Sequence, residues 1–257
     1  MGLFGKMFEK KVCSICGGEI GLLGNKKLED GNMCKACAAK LSPWFSERRS
    51  STVAQIEEQL AYREENKQAV EDFNVTLSLG GTTKVLFDED ACKFMVTSEK
   101  NYKNANPDVL DFSQVTGCQL DIDESRDEDM REDKDGNSVS YNPPRYFFSY
   151  DFHMIIRVNH PYFDEIRFRL NSSDVEINPN MAATMMRKPD PQMNHEYREY
   201  VEMGQEIKDI LMQARKQARE EVKAAAAPKA AVTCPYCGAT TTPDASGCCE
   251  YCGGAVN

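Results

Sequence analysis

Most of the eleven cysteines stand in Cys-x-x-Cys pairs, and these pairs lie towards the two ends of the 257-residue chain. Such a pair lets one tight turn aim two sulfur atoms at the same metal ion, and a second pair completes a tetrahedral site. In the first cluster seventeen residues separate two such pairs, which fits a four-cysteine zinc site. The predicted ligands there are Cys13, Cys16, Cys34 and Cys37.

The second cluster holds five cysteines, of which an internal repeat selects four. Cys-Pro-Tyr-Cys-Gly at 234–238 recurs as Cys-Glu-Tyr-Cys-Gly at 249–253. The repeat predicts Cys234, Cys237, Cys249 and Cys252 as ligands, and a set with Cys248 in place of Cys249 stays open. Because four thiolates leave no coordination position for water or substrate, both predicted Zn²⁺ ions are structural.

Structural roles are predicted for the residues near the sulfurs and for Cys92 and Cys118. Gly17 and Gly18 let the backbone fold back towards the first pair. Leu22, Leu23 and Leu28 are predicted to form a small apolar layer over the first zinc site. Cys92 and Cys118 fall on the apolar positions of alternating segments, where cysteine behaves as a small hydrophobe. We therefore expect both thiols in the core.

Composition limits the class of protein and its partners. Hydrophobic residues make up 41% of the chain and charged residues 28%, and no apolar run is long enough to cross a bilayer. With no secretory signal in the sequence, we expect a cytoplasmic protein with reduced thiols. The net charge of −10 disfavours nucleic-acid binding by the chain as a whole. Residues 1–50 depart from this trend, with nine basic against five acidic side chains.

Hydrophobic periodicity predicts the elements that carry these clusters. Thr52 and Gln55 form a capping box at the start of a helix. From Phe73 the period changes to two, most clearly over 146–158, which predicts an antiparallel sheet with one buried face. After Pro191 an apolar face that includes Tyr197, Ile207 and Leu211 predicts a long helix packed on that sheet.

These patterns predict an α+β fold: a central antiparallel β domain, either a sandwich or a small barrel, with a C-terminal helix and two flanking zinc ribbons. The predicted parts are a ribbon at 1–43, a connecting helix at 44–72, the β domain at 73–180, a long helix at 190–227 and a second ribbon at 228–257.

Residues 121–135 hold nine acidic side chains and are predicted to be a solvated hairpin loop. They lack the first-position carboxylate and the closing glutamate of a calcium loop.

The N-terminal pattern resembles a known family. Cys13-Ser-Ile-Cys16-Gly-Gly, followed by Lys27-Leu-Glu-Asp-Gly31 and Cys34-Lys-Ala-Cys37, is similar to a bacterial zinc-ribbon family of unknown function. The resemblance implies a helix opening near Ser51-Thr52-Val53 and then a β-rich region like the small barrel of pleckstrin homology and GRAM domains. The terminal Cys-Pro-Tyr-Cys-Gly pair resembles zinc ribbons appended to other bacterial proteins. The family has no assigned activity that could be carried over to this chain.

Three functions are compatible with this sequence. We favour a non-enzymatic scaffold or interaction protein that presents contact surfaces to a protein partner, and a homo-oligomer stays open. The second interpretation is nucleic-acid binding through the first ribbon. The basic excess of four over residues 1–50 would fall to two with a zinc tetrathiolate. The third is an enzyme that uses the β domain, although the sequence has no phosphate loop, nucleophile elbow or paired-histidine motif. Leu3, Phe4, Met7 and Phe8, interleaved with lysines, predict a short docking helix in preference to a membrane anchor.

Overall fold

The computed structural model describes residues 11–177, 188–226, 231–243 and 247–256. The predicted docking helix at the N-terminus lies almost wholly outside these ranges. The chain divides into two compact units, Met1–Lys216 and Gln217–Asn257, and each is described by itself. Within the described ranges, none of the helices combines the length and the apolar character that crossing a bilayer requires.

The first unit begins with a small module of two hairpins and one helical turn. Its core contains the buried side chains of Ile20, Leu28 and Met33 together with Ile56 from the following helix. The ribbon and the start of that helix therefore share one core. The elements are β1 (Lys11–Val12), β2 (Glu19–Ile20), β3 (Lys26–Lys27), β4 (Asn32–Met33), α1 (Lys35–Ala38) and α2 (Val53–Asp72).

Helix α2 starts at the capping box that the sequence predicts. The Thr52 hydroxyl accepts a hydrogen bond from the Gln55 N–H, and the Gln55 side chain accepts one from the Thr52 N–H. Asp30 adds a third contact, because its carboxylate accepts a hydrogen bond of 2.8 Å from the Val53 N–H. Together these acceptors satisfy N–H groups that the helix itself leaves unpaired.

Thr52→Ala is expected to lower the free energy of unfolding by about 1 kcal/mol, because it removes the side-chain half of the capping box. Urea unfolding of the zinc-loaded chain measures this difference. Thr52→Ser keeps the hydroxyl and serves as the matched control, with stability close to wild type. Equal stability of the alanine and serine variants would contradict the assigned role of the cap.

The first large sheet is a four-stranded antiparallel meander in the order β5–β6–β7–β8. Val85, Phe87, Phe94 and Val96 face the main core, and Leu86 and Met95 pack on the other face. Both faces are covered, which explains the short apolar runs in β6 and β7. The elements are β5 (Leu77–Gly80), β6 (Lys84–Asp88), β7 (Lys93–Thr97), α3 (Tyr102–Ala105) and β8 (Leu110–Asp111).

The second large sheet is built around β10, which pairs with β9 along one edge and with β11 and β12 along the other. The predicted alternation holds: Phe148, Tyr150, Phe152, Met154, Ile156 and Val158 are buried in the main core. The elements are β9 (Val115–Glu132), β10 (Ser138–Val158), β11 (Glu165–Arg169) and β12 (Val175–Ile177).

The prediction that residues 121–135 form a loop is wrong. Residues 121–132 belong to β9 and pair with β10, so only 133–137 form the turn. We call residues 123–147 the acidic arm; every side chain in it is exposed or half-buried. Residues 123–132 of β9 carry mostly polar side chains on both faces, and the alternation that marks a half-buried strand is therefore missing.

A long helix completes the main core. Helix α4 (His195–Ala226) packs Tyr197, Ile207 and Leu211 against the same apolar cluster that both sheets share. Close approach is visible at Gly204, where a Cβ atom would come within 2.8 Å of a Leu120 methyl group. The predicted α+β class, with antiparallel sheets, a C-terminal helix and a four-cysteine group near each end, is thus confirmed.

The second unit contains a small hairpin module. Its buried side chains are Cys234, Cys249 and Val256, with Val232 half-buried against them. So few apolar groups cannot stabilise a fold by burial alone. The module contains β13 (Val232–Thr233), β14 (Thr240–Thr241) and an isolated bridge between Cys248 and Ala255.

Candidate metal centres

The first centre gathers its four sulfurs from two different local structures. Cys13 and Cys16 lie in a tight turn after β1, in which the Gly17 N–H donates to the Cys13 carbonyl at 2.9 Å. Gly17 has φ = +70°, a conformation that glycine adopts without steric cost. Cys34 is the N-cap of α1 and Cys37 lies within it, so one helical turn aims the second pair.

The sulfurs of the first centre all lie within 4.8 Å of one another. Cys16 Sγ and Cys34 Sγ are 3.8 Å apart. A tetrahedral zinc ion with Zn–S bonds of about 2.3 Å requires sulfur separations of about 3.8 Å. Backbone groups also point at the sulfurs: the Cys34 N–H donates to Cys13 Sγ at 3.3 Å, and the Cys37 N–H donates to Cys34 Sγ at 3.4 Å. Such bonds orient the ligands and delocalise thiolate charge.

The thiol pKa values show why this cluster needs a cation. Burial raises the pKa of Cys13, but backbone N–H groups of Cys16, Cys34 and Ile15 outweigh burial and lower that pKa to about 6. Burial and hydrogen bonds with the other three thiols raise the pKa of Cys37 to about 12. Cys13 thus loses its proton easily, whereas Cys37 resists ionisation because neighbouring negative sulfurs repel each other. A divalent metal ion removes that resistance.

The second centre repeats one turn twice. The Gly238 N–H donates to the Cys234 carbonyl at 2.9 Å, and the Gly253 N–H donates to the Cys249 carbonyl at 2.8 Å. Both glycines have positive φ, +73° and +70°, as at the first centre. The internal repeat seen in the sequence is therefore a repeat of one metal-binding turn.

The sulfurs of the second centre also lie within 4.8 Å of one another. Cys234 Sγ is 3.5 Å from Cys252 Sγ, and Cys237 Sγ is 3.8 Å from Cys249 Sγ. Burial raises the pKa of Cys234, but the N–H groups of Cys237 and Tyr236 lower it to about 7. The structure groups Cys249 with the other three sulfurs, whereas Cys248 lies in the bridge with Ala255.

Both groups fit a metal that prefers four sulfur donors, and neither offers an oxygen or nitrogen ligand. All eight predicted sulfurs are brought together as two sets of four, which supports the predicted ligands. The remaining expectations near the first site are only partly met. Leu28 is fully buried, as predicted, but Leu22 and Leu23 are 81% and 91% exposed, so they form no protective layer.

The two isolated cysteines differ from each other. Cys118 is half-buried against the main core, and burial raises its pKa to about 12, which makes it an unreactive thiol. The expectation that Cys92 is also in the core is wrong. Cys92 is exposed and has φ = +56° in the turn between β6 and β7. The predicted strand pattern extends one residue too far, because Lys93 is the first residue of β7.

A buried polar junction that no sequence pattern predicted lies between the ribbon and the β domain. The Arg63 Nη1 atom lies 2.7 Å from Asp108 Oδ1, and both side chains are almost completely buried. The Ser42 hydroxyl donates to the other Asp108 oxygen at 2.7 Å. Asn66 donates to the Pro107 carbonyl and accepts from the Val109 N–H. The junction joins the end of the ribbon, α2 and the segment before β8.

The position of these residues on α2 offered a signal for the junction. Ile56, Arg63 and Val70 are buried at seven-residue spacing, and Gln59 and Asn66 lie on the same face. The face is polar because it packs on the irregular segment 106–109, whose backbone groups need hydrogen-bond partners.

Comparison with known proteins gives one match. A family described as "Domain of unknown function (DUF4428)" matches residues 11–59, the stretch that contains β1–β4, α1 and the start of α2. Searches of curated proteins and of solved structures returned no match. The N-terminal four-cysteine module with the first turns of α2 is therefore similar to a domain of unknown function, and the sequence resemblance is confirmed to that extent.

Proposed function

We propose that this chain is a non-enzymatic zinc-binding interaction protein, in which each four-cysteine group holds one structural Zn²⁺. The observation that carries the proposal is that each group offers four sulfurs at the spacing of a tetrahedral site. Four thiolates saturate zinc, so neither ion would activate water or bind a substrate. The role of the metal is then to hold small modules in one conformation for recognition.

The acidic arm offers a negatively charged contact surface. It carries eight acidic and four basic side chains over 123–147. Two arginines pack on tyrosines within the arm: the Arg126 guanidinium carbon is 3.6 Å from the Tyr146 ring centroid, and that of Arg145 is 4.1 Å from Tyr141. These cation–π contacts order part of the arm and leave the excess negative charge facing solvent. We infer a basic protein surface as its partner.

The second ribbon presents an aromatic surface. Tyr236 and Tyr251, which occupy equivalent positions in the two repeated turns, are 72% and 71% exposed. Tyrosine is enriched in protein interfaces because it offers a large rigid ring and a hydroxyl. This pair supports protein binding as the function of the second unit.

Quantitative affinity capture from native cells tests the proposal. Asp127→Asn/Glu132→Gln/Asp135→Asn neutralises three exposed carboxylates of the acidic arm. The matched control, Glu57→Gln/Glu58→Gln/Glu65→Gln, neutralises three exposed carboxylates on α2. We expect wild type and the control to capture the same basic partner. The arm variant should capture about tenfold less of it, because charge complementarity steers association.

Two outcomes would contradict this function. One is an identical set of partners for the arm variant and its control. The other is capture that disappears after nuclease treatment, together with DNA or RNA binding that falls steeply with salt. The second result would favour nucleic-acid binding through the basic first ribbon.

A further inference from the structure

Two adjacent leucines form the most exposed apolar pair among the described residues. Leu22 and Leu23 occupy the two central positions of a β-turn closed by a hydrogen bond of 2.8 Å from the Gly24 N–H to the Gly21 carbonyl. Their side chains are 81% and 91% exposed. A Cβ atom added to Gly21 would meet no other atom within 4 Å, so the turn projects into open space. We call residues 21–24 the leucine tip.

The local backbone does not require leucine at these positions. The turn closes between two glycines, and neither leucine has a positive φ. Polar residues such as Asn, Asp and Ser are the usual occupants of an exposed turn. A single exposed apolar residue needs no explanation, but two neighbouring leucines at the end of a projecting turn form a patch whose partner lies outside the fold.

Three lysines flank the leucine tip. Lys26 and Lys27 follow the turn as β3, and Lys11 pairs across β1–β2 with Ile20, the residue just before the turn. All three lysines are exposed. Between residues 10 and 30 the sequence has four lysines and three acidic residues, Glu19, Glu29 and Asp30.

We propose that the leucine tip inserts into the surface of an anionic lipid bilayer, with the flanking lysines in contact with lipid phosphates. A convex apolar projection needs a complementary pocket in a protein partner, whereas the acyl boundary of a bilayer accepts it without one. Lysines close to the surface add electrostatic attraction to anionic headgroups. Repulsion from acidic residues more than about 8 Å from the headgroups is largely screened at physiological ionic strength. This inference is independent of the proposed protein contacts of the acidic arm.

Vesicle flotation with the zinc-loaded full chain tests the inference. The probes are vesicles of phosphatidylcholine with about one-third phosphatidylglycerol, and vesicles of phosphatidylcholine alone. We expect wild type to bind the anionic vesicles, and Leu22→Ser/Leu23→Ser to lower that affinity by about tenfold or more. Met193→Ser, which replaces an 80% exposed methionine outside the ribbon, is the matched control and should bind like wild type. Zinc content equal to wild type shows that the ribbon is intact.

A fluorescence measurement locates the contact. Leu23→Trp places a reporter at the leucine tip, and brominated lipids should quench it, whereas Trp44 of the wild-type chain should stay unquenched. Absence of wild-type binding to anionic vesicles overturns the inference and leaves a protein partner as the occupant of the tip. Equal binding by the Leu22→Ser/Leu23→Ser variant also overturns it, as does binding that depends only on residues 1–10.

Discussion

Cys37→Ser is expected to release one of two zinc ions and to unfold residues 11–59. Cys37 is buried in the small core with Leu28 and Met33, and about 10–16 kcal/mol of apparent zinc-binding energy stabilises a module of this kind. Because Ile56 belongs to the same core, the first turns of α2 should lose protection as well. Metal analysis counts the zinc, and hydrogen exchange maps the unfolded segment.

Substitutions of other cysteines in the chain provide the controls for this experiment. Cys92→Ser changes an exposed thiol outside both centres and should retain two zinc ions per chain. Cys249→Ser should lose one ion, whereas Cys248→Ser should keep both, which distinguishes the two neighbouring cysteines. Loss of the second centre should leave the exchange pattern of residues 11–177 unchanged, because the second ribbon lies in a different compact unit. Two zinc ions in Cys37→Ser would contradict the assigned first centre.

Asp108→Ala is expected to lower the free energy of unfolding by about 3–5 kcal/mol, since it leaves the buried Arg63 guanidinium without its counter-charge. Ser42 would lose its hydrogen-bond acceptor as well. Removing one partner of a buried pair costs far more than the net contribution of the intact pair. Urea unfolding followed by circular dichroism measures the change.

An exposed ion pair provides the comparison for Asp108. Glu71 accepts a bond of 2.9 Å from Lys103, and both side chains are well exposed. Glu71→Ala should therefore cost about 0–1 kcal/mol. If Asp108→Ala were no more destabilising than Glu71→Ala, the junction between the ribbon and the β domain would not contribute to stability as inferred here.

Local sequence rules predicted the parts of the fold that depend on neighbouring residues. The cysteine spacing, the capping box at Thr52 and the alternation over 146–158 each involve groups within a few residues of one another, and the structure contains all three. The apolar face of α4 was predicted for the same reason, because one periodic stripe determines which side packs on the core.

Features that depend on residues far apart in the sequence were not predicted. The ion pair of Arg63 could not be predicted, because its partner, Asp108, is forty-five positions away. The strand character of 121–132 was hidden because both faces of the arm are polar. The prediction that Leu22 and Leu23 form an apolar layer over the first zinc site is wrong, although leucine is usually buried. Their exposure follows from the direction in which the turn projects, and hydrophobicity does not encode that direction.

The first module has a consequence for protein synthesis. Its four sulfurs and its apolar partners all fall between positions 13 and 60, and none comes from the sheets or from α4. Once residues 13–60 have emerged from the ribosome, all the side chains that the module needs for metal binding are available. We therefore expect the first ribbon to be competent for metal capture while the rest of the chain is still being synthesised, and the second ribbon only after the intervening sheets have emerged.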